Sequence, residues 1–348
     1  MLTAVAVVAA ALVSLAAPAA SQAANASDAL APLRAQISRA REVLLAHFKD
    51  IQKNSGLAVE IQERLDGDLS ALYPEDIPKN WTVDEFMTMA RVVATLDASL
   101  VDAALTPQGR DWSNVRGAAE VFVTSPADGT KQPVGLYVPA TYDGKKPVPL
   151  VVLLHGRTQT EEDMLAYPIF RDLAERTGAI ILAPFARGDI QYADPAPAEI
   201  YRAVEQARSA FAIDPKRVYL SGYSMGGFGV FEVGPAHPEV WAGFLSIAGS
   251  MTNADRADVL NRFVGKPVYV VSGQLDDNVP NAYARLTVQW LQDGGIEARY
   301  YEQPNGLHHL QSIYPAIVKA WMDMLGGVRG QGTRPAPLAM PVQPVRPD

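Results

Sequence analysis

The stretch that decides the fold is YLSGYSMGGFGVFEVG, Tyr219 to Gly234, in which glycines flank Ser224 on both sides. An apolar β-branched run leads into it and a second apolar stretch follows. Glycine costs conformational entropy on folding, so Gly222 and Gly226 need a physical reason. A strand that turns sharply into a helix supplies one, because side chains two residues before and after the turn would collide. The pattern therefore predicts a tight, rigid turn with the Ser224 hydroxyl at its tip, and not a flexible loop.

The chain around this turn alternates between apolar strands and amphipathic helices. Short β-branched runs separated by Gly, Pro and Asp turns begin after Arg116, and strands and helices alternate from there to Leu325. Near-continuous apolar strands joined by helices are typical of a mostly parallel sheet covered on both faces. We therefore predict an α/β domain with helices flanking the sheet over residues 115–325.

A small helical unit is predicted ahead of this domain, over residues 28–112. Apolar residues recur at three- and four-residue steps within Leu30–Ile51 and again within Phe86–Leu100. Thr82 and Glu85 have the spacing of a capping box at a helix start. These stripes are interpreted as helix packing, and they carry no chemistry of their own.

The sequence of the first residues predicts export, and that of the last residues predicts a disordered tail. Residues 1–23 hold an apolar run with no charged side chain, followed by the small-x-small pattern Ser21-Gln22-Ala23, which is typical of a cleaved signal peptide. We expect a periplasmic or extracellular protein with no stable membrane insertion after cleavage. An N-terminal membrane anchor, or a start codon upstream of the real one, is the alternative. Residues 326–348 are rich in Gly and Pro and predict disorder.

Composition excludes several classes of function. The net charge of -8 argues against a nucleic-acid partner. Without a cysteine, the chain has no thiol nucleophile, no disulfide and no Cys-ligated metal. It has no HExxH metal motif, its glycine-rich stretch lacks the lysine of a P-loop, and no GxGxxG opens a βαβ unit. We therefore expect neither a metal nor another cofactor, and no particular oligomeric state is predicted.

A serine hydroxyl becomes a useful nucleophile when a base takes its proton. At a strand-to-helix turn of this kind the chain order is serine, then a carboxylate, then histidine. Of the five histidines, only the neighbours His308 and His309 fit that order, in the loop between the last strand and the last helix. We favour His308 because it follows a glycine-containing turn. His309 is then a helix-start residue lining the site.

The carboxylate that orients the histidine is expected directly after a strand. The segment KPVYVVSGQLDDNVP offers Asp276 and Asp277 there. We favour Asp276, three residues past Gly273, and interpret Asp277 as a solvated neighbour or a helix N-cap.

Hydrolysis also needs fixed donors for a developing oxyanion. We assign these to the backbone N–H groups of Met225, which follows the serine, and of Arg157, in the loop after an early strand. The side chain of His155 in that loop is interpreted as structural, holding the loop by hydrogen bonding.

Four segments together resemble the α/β-hydrolase superfamily: LLHGRTQTEEDM, FAIDPKRVYLSGYSMGG, SGQLDDNVP and NGLHHL. Within it the chain, over Val115–Leu325, is similar to the secreted esterases that include polyhydroxybutyrate-depolymerase-like and feruloyl or acetylxylan esterase-like enzymes. The resemblance implies Ser224 as nucleophile, His308 as base and Asp276 as orienting acid. Those esterases often carry a cysteine after the His-Gly pair, where this chain has Arg157.

The expected activity is cleavage of a small-molecule or polymer ester through an acyl-enzyme, without a cofactor. Two other functions stay open on sequence alone. A serine peptidase or acyl-aminoacyl hydrolase is one, because the same three groups cleave amides. A non-catalytic binding module that keeps the fold is the other.

Overall fold

The computed structural model of the chain describes residues 27–73, 77, 81–106, 109–252 and 257–339. The chain divides into two compact units, residues 1–107 and 108–348, whereas the sequence pattern put the boundary between residues 112 and 115. Among the described helices, none is long and apolar enough to cross a membrane. The predicted signal peptide lies outside the described residues.

The first unit is helical, as its apolar periodicity predicts. Its described helices are α1 over 27–46, α2 Phe48–Ser55, α3 Ala58–Ala71 and α4 Val83–Leu105. Leu30, Ile37, Leu44 and Ile51 of the first predicted stripe are fully buried. The stripe along α1 and α2 is therefore core packing.

Helix α4 begins at the predicted capping box and buries the predicted stripe in part. The Thr82 hydroxyl accepts the Glu85 N–H, and the Glu85 carboxylate accepts the Thr82 N–H at 2.8 Å. Met87 and Ala90 are buried, whereas Phe86 of the predicted stripe is half-buried. Leu96 and Leu100 of the stripe are fully buried, so the predicted face is confirmed in the second half of α4. In the first half the buried face is shifted by one residue, because α4 carries apolar side chains on more than one face and periodicity alone does not choose between them.

The second unit is built on a single sheet of eight strands. In chain order these are β1 Gly117–Thr124, β2 Lys131–Val138, β3 Val148–Leu154, β4 Ile180–Pro184, β5 Ile213–Tyr223, β6 Gly243–Ile247, β7 Val268–Gly273 and β8 Ala298–Gln303. Every residue of β4, β6 and β7 is buried. That continuous burial is what strands covered by helices on both faces require.

The spatial order of the strands is β1-β2-β4-β3-β5-β6-β7-β8. Strand β2 pairs antiparallel with both of its neighbours, and all other pairs are parallel. The prediction of a mostly parallel sheet flanked by helices is therefore confirmed. Parallel strands bring their carboxyl ends to the same edge, so the loops after β3, β5, β7 and β8 meet there.

Seven helices accompany the sheet among the described residues: α5 Glu161–Ala166, α6 Pro168–Thr177, α7 Ala196–Ala210, α8 Met225–Val233, α9 Ala257–Asn261, α10 Asn281–Asp293 and α11 Leu310–Leu325. A short 3₁₀ turn, Trp112–Asn114, precedes β1. The sequence pattern did not predict α5, which begins at a capping box formed by Thr160 and Asp163. Its six residues are too few to show a helical period.

The segment after α11 is ordered over residues 326–339, contrary to the predicted disorder from 326 onward. The Tyr269 hydroxyl donates to the Val328 carbonyl at 2.6 Å, and the Gly332 N–H donates to the Ala298 carbonyl on β8 at 3.0 Å. The Gln289 amide donates to the Pro335 carbonyl at 2.8 Å. Strand β8 is a sheet edge with free backbone groups, and this segment covers it. Residues 340–348 lie outside the described part.

Candidate active site

Ser224 occupies a strained turn between β5 and α8. Its backbone has φ of 51° and ψ of -115°, a left-handed region that non-glycine residues rarely enter. A Cβ on Gly222 would lie 2.1 Å from the Gly226 carbonyl oxygen, and one on Gly226 would lie 2.3 Å from the Leu154 carbonyl oxygen. Both glycines are therefore required by close backbone approach, as the predicted tight turn demands.

His308 lies between Ser224 and a carboxylate. Its Nε2 is 2.9 Å from the Ser224 hydroxyl oxygen, and its Nδ1 is 2.9 Å from Asp276 Oδ2. A carboxylate only accepts hydrogen bonds, so Nδ1 carries the proton and Nε2 is left to accept from the serine hydroxyl. His309, the alternative, is the N-cap of α11, and its Nδ1 is buried without a partner among the described residues.

Asp276 is held in place by backbone donors as well as by His308. Its side chain is fully buried, and Oδ1 accepts the N–H groups of Val279 at 2.7 Å and Asn278 at 3.1 Å. Asp277 is exposed. The turn after β7 therefore aims one carboxylate at the histidine and the other at solvent.

Tyr223, which precedes the serine, contacts His308 through both its hydroxyl and its ring. Its hydroxyl donates to the His308 carbonyl at 2.9 Å, and the two rings lie 5.5 Å apart. Burial raises the pKa of this hydroxyl, and the charges of Tyr167 and Asp276 add to that rise. The hydroxyl therefore keeps its proton and its bond to the histidine loop. Sequence reasoning missed this role, although the residue lies inside the motif.

The loop after β3 approaches the start of α8. A Cβ on Gly226 would lie 2.8 Å from the His155 carbonyl oxygen, so the two segments pack backbone to backbone. Met225 is the first residue of α8, and its N–H has no carbonyl one turn earlier. Within the described part of the chain, the Arg157 N–H donates to no acceptor. Both N–H groups assigned as oxyanion donors are thus available at this edge of the sheet.

Side chains hold the loop that carries Arg157. The Gln159 amide oxygen accepts the Gly156 N–H at 3.0 Å, and the Asp189 carboxylate accepts the Thr158 N–H at 2.8 Å. Such fixed donors cost no reorganisation when charge develops. The sequence pattern did not predict that the side chains of Gln159 and Asp189 hold this loop.

His155 is fully buried beneath the same loop. Its Nε2 lies 2.9 Å from the Phe185 carbonyl oxygen, its Nδ1 lies 2.8 Å from the Gly156 carbonyl oxygen, and its own carbonyl accepts the Tyr192 hydroxyl at 2.8 Å. The predicted structural role of this side chain agrees with these contacts, which join the loops after β3 and β4.

One cluster of described carboxylates in this unit is close enough to hold a cation. The ligand atoms of Glu120, Glu161 and Glu162 lie within 4.8 Å of one another. All three side chains are buried, and none of them contacts Ser224, His308 or Asp276 in the bonds described above.

Known proteins match the chain only in part. No protein-family model matches it. It is 31% identical over 144 residues to a poly(3-hydroxybutyrate) depolymerase of Ralstonia pickettii, which is 35% of this chain and 29% of that protein. It is 30% identical over 128 residues to poly(3-hydroxyalkanoate) depolymerase C of Paucimonas lemoignei, 30% of each chain. The match thus spans less than a third of either relative.

The fold itself has many solved counterparts. A structure of a ferulic acid esterase superposes with a TM-score of 0.52 at 16% identity, over 60% of this chain and 98% of that one. At that identity the likeness concerns the fold. The sheet order, the strained serine turn and these similarities agree with the resemblance of the four motifs. The chain has the α/β-hydrolase fold.

Proposed function

We propose that this protein is a serine hydrolase, a carboxylesterase that cleaves small-molecule or polymeric esters through an acyl-enzyme. The observation that supports this most is the hydrogen-bonded series Ser224–His308–Asp276 at the carboxyl edge of the sheet, with contacts of 2.9 Å on both sides of the imidazole. The partial similarity to two depolymerases supports an ester as the bond cleaved.

In the first half of the reaction, Ser224 Oγ attacks the ester carbonyl carbon while His308 Nε2 takes the hydroxyl proton. The carbonyl oxygen becomes an oxyanion, which the Met225 and Arg157 N–H groups stabilise. The C–O bond to the alcohol then breaks, and the leaving oxygen takes the proton from His308. Asp276 stays ionised and stabilises the imidazolium through its Nδ1–H.

In the second half, water replaces the alcohol. His308 removes a proton from the water, whose oxygen attacks the acyl carbon of the serine ester. The second tetrahedral intermediate collapses, Ser224 regains its proton from His308, and the carboxylic acid leaves. The reaction consumes one ester and one water, and it releases one alcohol and one carboxylic acid.

Labelling with a fluorophosphonate, which reacts with activated serines, tests this proposal. We expect wild-type protein to be labelled and Ser224→Ala to be unlabelled. Ser221→Ala is the matched control, because Ser221 is a buried β5 serine whose hydroxyl has no partner among the described residues. Unlabelled wild type would contradict the hydrolase function, and labelled Ser224→Ala would contradict the choice of nucleophile.

A substrate panel separates the ester from the amide reaction. We expect p-nitrophenyl esters to be cleaved and aminoacyl-anilides of matched acyl groups to be cleaved far more slowly. Faster cleavage of the anilides would favour the peptidase or acyl-aminoacyl hydrolase instead. A protein that binds esters without cleaving either series would favour the binding module.

We further propose that the protein is exported to the periplasm or beyond, with its signal peptide removed after Ala23. The support is the apolar, uncharged start of the chain and the Ser21-Gln22-Ala23 pattern. N-terminal sequencing of protein from the periplasm and medium is expected to begin at Ala24. Recovery only from the cytoplasm with residue 1 retained would contradict this.

A further inference from the structure

A cavity of about 450 Å³ lies along the helix that follows the serine. One wall is the face of α8 formed by Met225, Phe228 and Glu232, and the facing wall is the segment 190–193 after β4. Its volume is in the range of pockets that bind small molecules. Met225 is the residue next to Ser224, so this wall of the cavity starts at the serine turn.

The spacing of the lining residues along α8 determines the length of this cavity. Met225, Phe228 and Glu232 are three and four residues apart, so they share one face of α8. Seven residues of helix rise about 10 Å. One arm of an ester bound at Ser224 can therefore extend about 10 Å, past Phe228, before it reaches Glu232.

The cavity is apolar near the serine and acidic at its far end. Met225, Phe228 and Ile190 are apolar side chains, and the lining also includes the uncharged polar residues Gln191, Tyr192 and Thr252. No basic side chain is among the described residues that line the cavity. Glu232 is exposed and forms no hydrogen bond or ion pair with another described residue. An ionised carboxylate only accepts hydrogen bonds and repels anions.

We propose that this cavity binds an ester arm that is apolar along its length and ends in a hydrogen-bond donor, an ammonium group more strongly than a hydroxyl. Glu232 determines the specificity for that end group. The proposal rests on the ester hydrolysis proposed above and names the class of substrate arm for the same site. An arm ending in a free carboxylate is disfavoured by the charge of Glu232.

Two matched series of esters test this. One varies the end of a 10 Å acyl chain on p-nitrophenol, and the other varies the end of an alcohol of the same length on butyrate; each ends in methyl, hydroxyl, ammonium or carboxylate. In the series whose arm enters the cavity, we expect kcat/KM to be about fivefold higher for ammonium than for methyl, the size of one partly exposed ion pair. Carboxylate is expected to be the poorest end group.

Variants identify the residue responsible. Glu232→Lys is expected to reverse the order, so that carboxylate is preferred over ammonium, with the change mainly in KM. Glu205→Gln, which removes an exposed glutamate from α7, is expected to leave the order as it is. Equal rates for all end groups in both series, or an unreversed order in Glu232→Lys, would overturn the proposal while ester cleavage stands. If no ester is cleaved and fluorophosphonate does not label Ser224, the proposed function itself fails.

A second inference comes from the ring of His155. Both of its nitrogens face backbone carbonyl oxygens, at 2.8 Å for Gly156 and 2.9 Å for Phe185. A carbonyl oxygen only accepts, and a neutral imidazole has a single N–H. Both contacts are hydrogen bonds only when both nitrogens carry protons. A buried nitrogen lone pair against a carbonyl is the costly alternative.

Acidic groups lie near this ring on α5. Asp163 interacts electrostatically with His155, although burial raises the pKa of the Asp163 carboxyl and the charge of Glu161 adds to that rise. From the segment after β4, Tyr192 donates to the His155 carbonyl and Asp189 holds the loop at Thr158.

The geometry points to His155 as a buried imidazolium, a positioning residue that keeps a positive charge beneath the loop carrying the Arg157 N–H. A fixed charge of that sign favours a developing oxyanion at the loop. A positive charge on His155 also explains why both loops place carbonyl oxygens, which accept hydrogen bonds, against its ring nitrogens.

Nitrogen NMR on protein labelled with ¹⁵N-histidine tests this without any activity. We expect His155 to give two ring N–H signals at neutral pH that exchange slowly with water. Single Gln substitutions at the other four histidines identify its signals by elimination, and the exposed His237 serves as the solvent-exchanging comparison. One protonated and one unprotonated ring nitrogen at neutral pH would overturn the inference.

Discussion

Two strained segments at the carboxyl edge of the sheet are held by different means. The serine turn, with Ser224 at φ of 51°, is held by backbone pressed against backbone at Gly222 and Gly226. The segment 185–192 contains four non-glycine residues with positive φ and is held by side chains instead. Each strained residue costs on the order of 1–3 kcal/mol, so both segments depend on the surrounding structure.

The side-chain bonds of the second segment reach in three directions. Arg187 pairs with Glu199 on α7 and with Asp128 in the β1–β2 turn, the latter at 2.8 Å. Asp189 binds the loop after β3, and Tyr192 donates to the His155 carbonyl. A turn held by backbone packing should lose stability when a side-chain atom is added. A segment held by polar bonds should lose stability when a charged partner is removed.

The largest expected effect concerns Asp276, which combines backbone and side-chain bonds. Asp276→Asn keeps the size of the side chain, but its amide donors favour the wrong tautomer of His308. We expect kcat for a p-nitrophenyl ester to fall about 10⁴-fold with little change in folding. Asp277→Asn, its exposed neighbour, is the control and should stay within about twofold. A fall of under tenfold in Asp276→Asn would argue that another group orients the histidine.

The next effect concerns the packed turn. Gly222→Ala adds a Cβ 2.1 Å from a backbone oxygen, and we expect the free energy of unfolding in urea to fall by about 3 kcal/mol. Gly67→Ala is the matched control, because its Cβ meets nothing within 4 Å. Because Gly67 lies in the interior of α3, we expect Gly67→Ala to raise the free energy of unfolding by about 0.5–1 kcal/mol. Similar unfolding energies for the two variants would remove the argument that packing holds the turn.

A smaller effect is expected from the polar segment. Arg187→Met keeps the aliphatic stem and leaves the buried Glu199 carboxylate without its partner, so we expect a loss of about 2 kcal/mol in the free energy of unfolding. Arg202→Met breaks the exposed pair with Glu205 and is expected to change it by under about 0.5 kcal/mol. Equal losses in the two variants would mean that the Arg187 pair does not hold the segment.

The smallest effect is a pH dependence at the outer end of the same network. Hydrogen bonds from Thr130, with Arg187 adding to them, lower the pKa of Asp128 well below its usual range. A carboxyl group whose pKa is lowered by folding contributes stability above its unfolded pKa, and that contribution is lost as the pH falls through the folded pKa.

Wild type should therefore exceed Asp128→Asn in thermal stability at pH 6, and the gap should narrow as the pH falls below about 4. The check is the melting temperature of both proteins from pH 6 to pH 2.5. A gap that is constant over this range would show that Asp128 acts through geometry and not through its charge.

The sequence allowed much of this molecule to be predicted because its decisive signals are local. Strand and helix periods identified the order of elements in the sheet unit, and the glycines around Ser224 predicted the strained turn. Helix α5 was missed because six residues show no period. The order of residues 326–339 was missed because Gly- and Pro-rich sequence gives no hint of an edge strand that its backbone can cover.

Sequence alone determined that a serine stands in a rigid strand-to-helix turn, that carboxylates follow a later strand and that paired histidines follow the last one. Tertiary structure decided that His308 rather than His309 contacts the serine, and that Asp276 rather than Asp277 contacts His308. It also decided that Tyr223, Gln159 and the segment 185–192 support the site. The physical reason is distance along the chain: Ser224 and His308 are 84 residues apart, and only the register of the parallel strands between them brings their atoms within 2.9 Å.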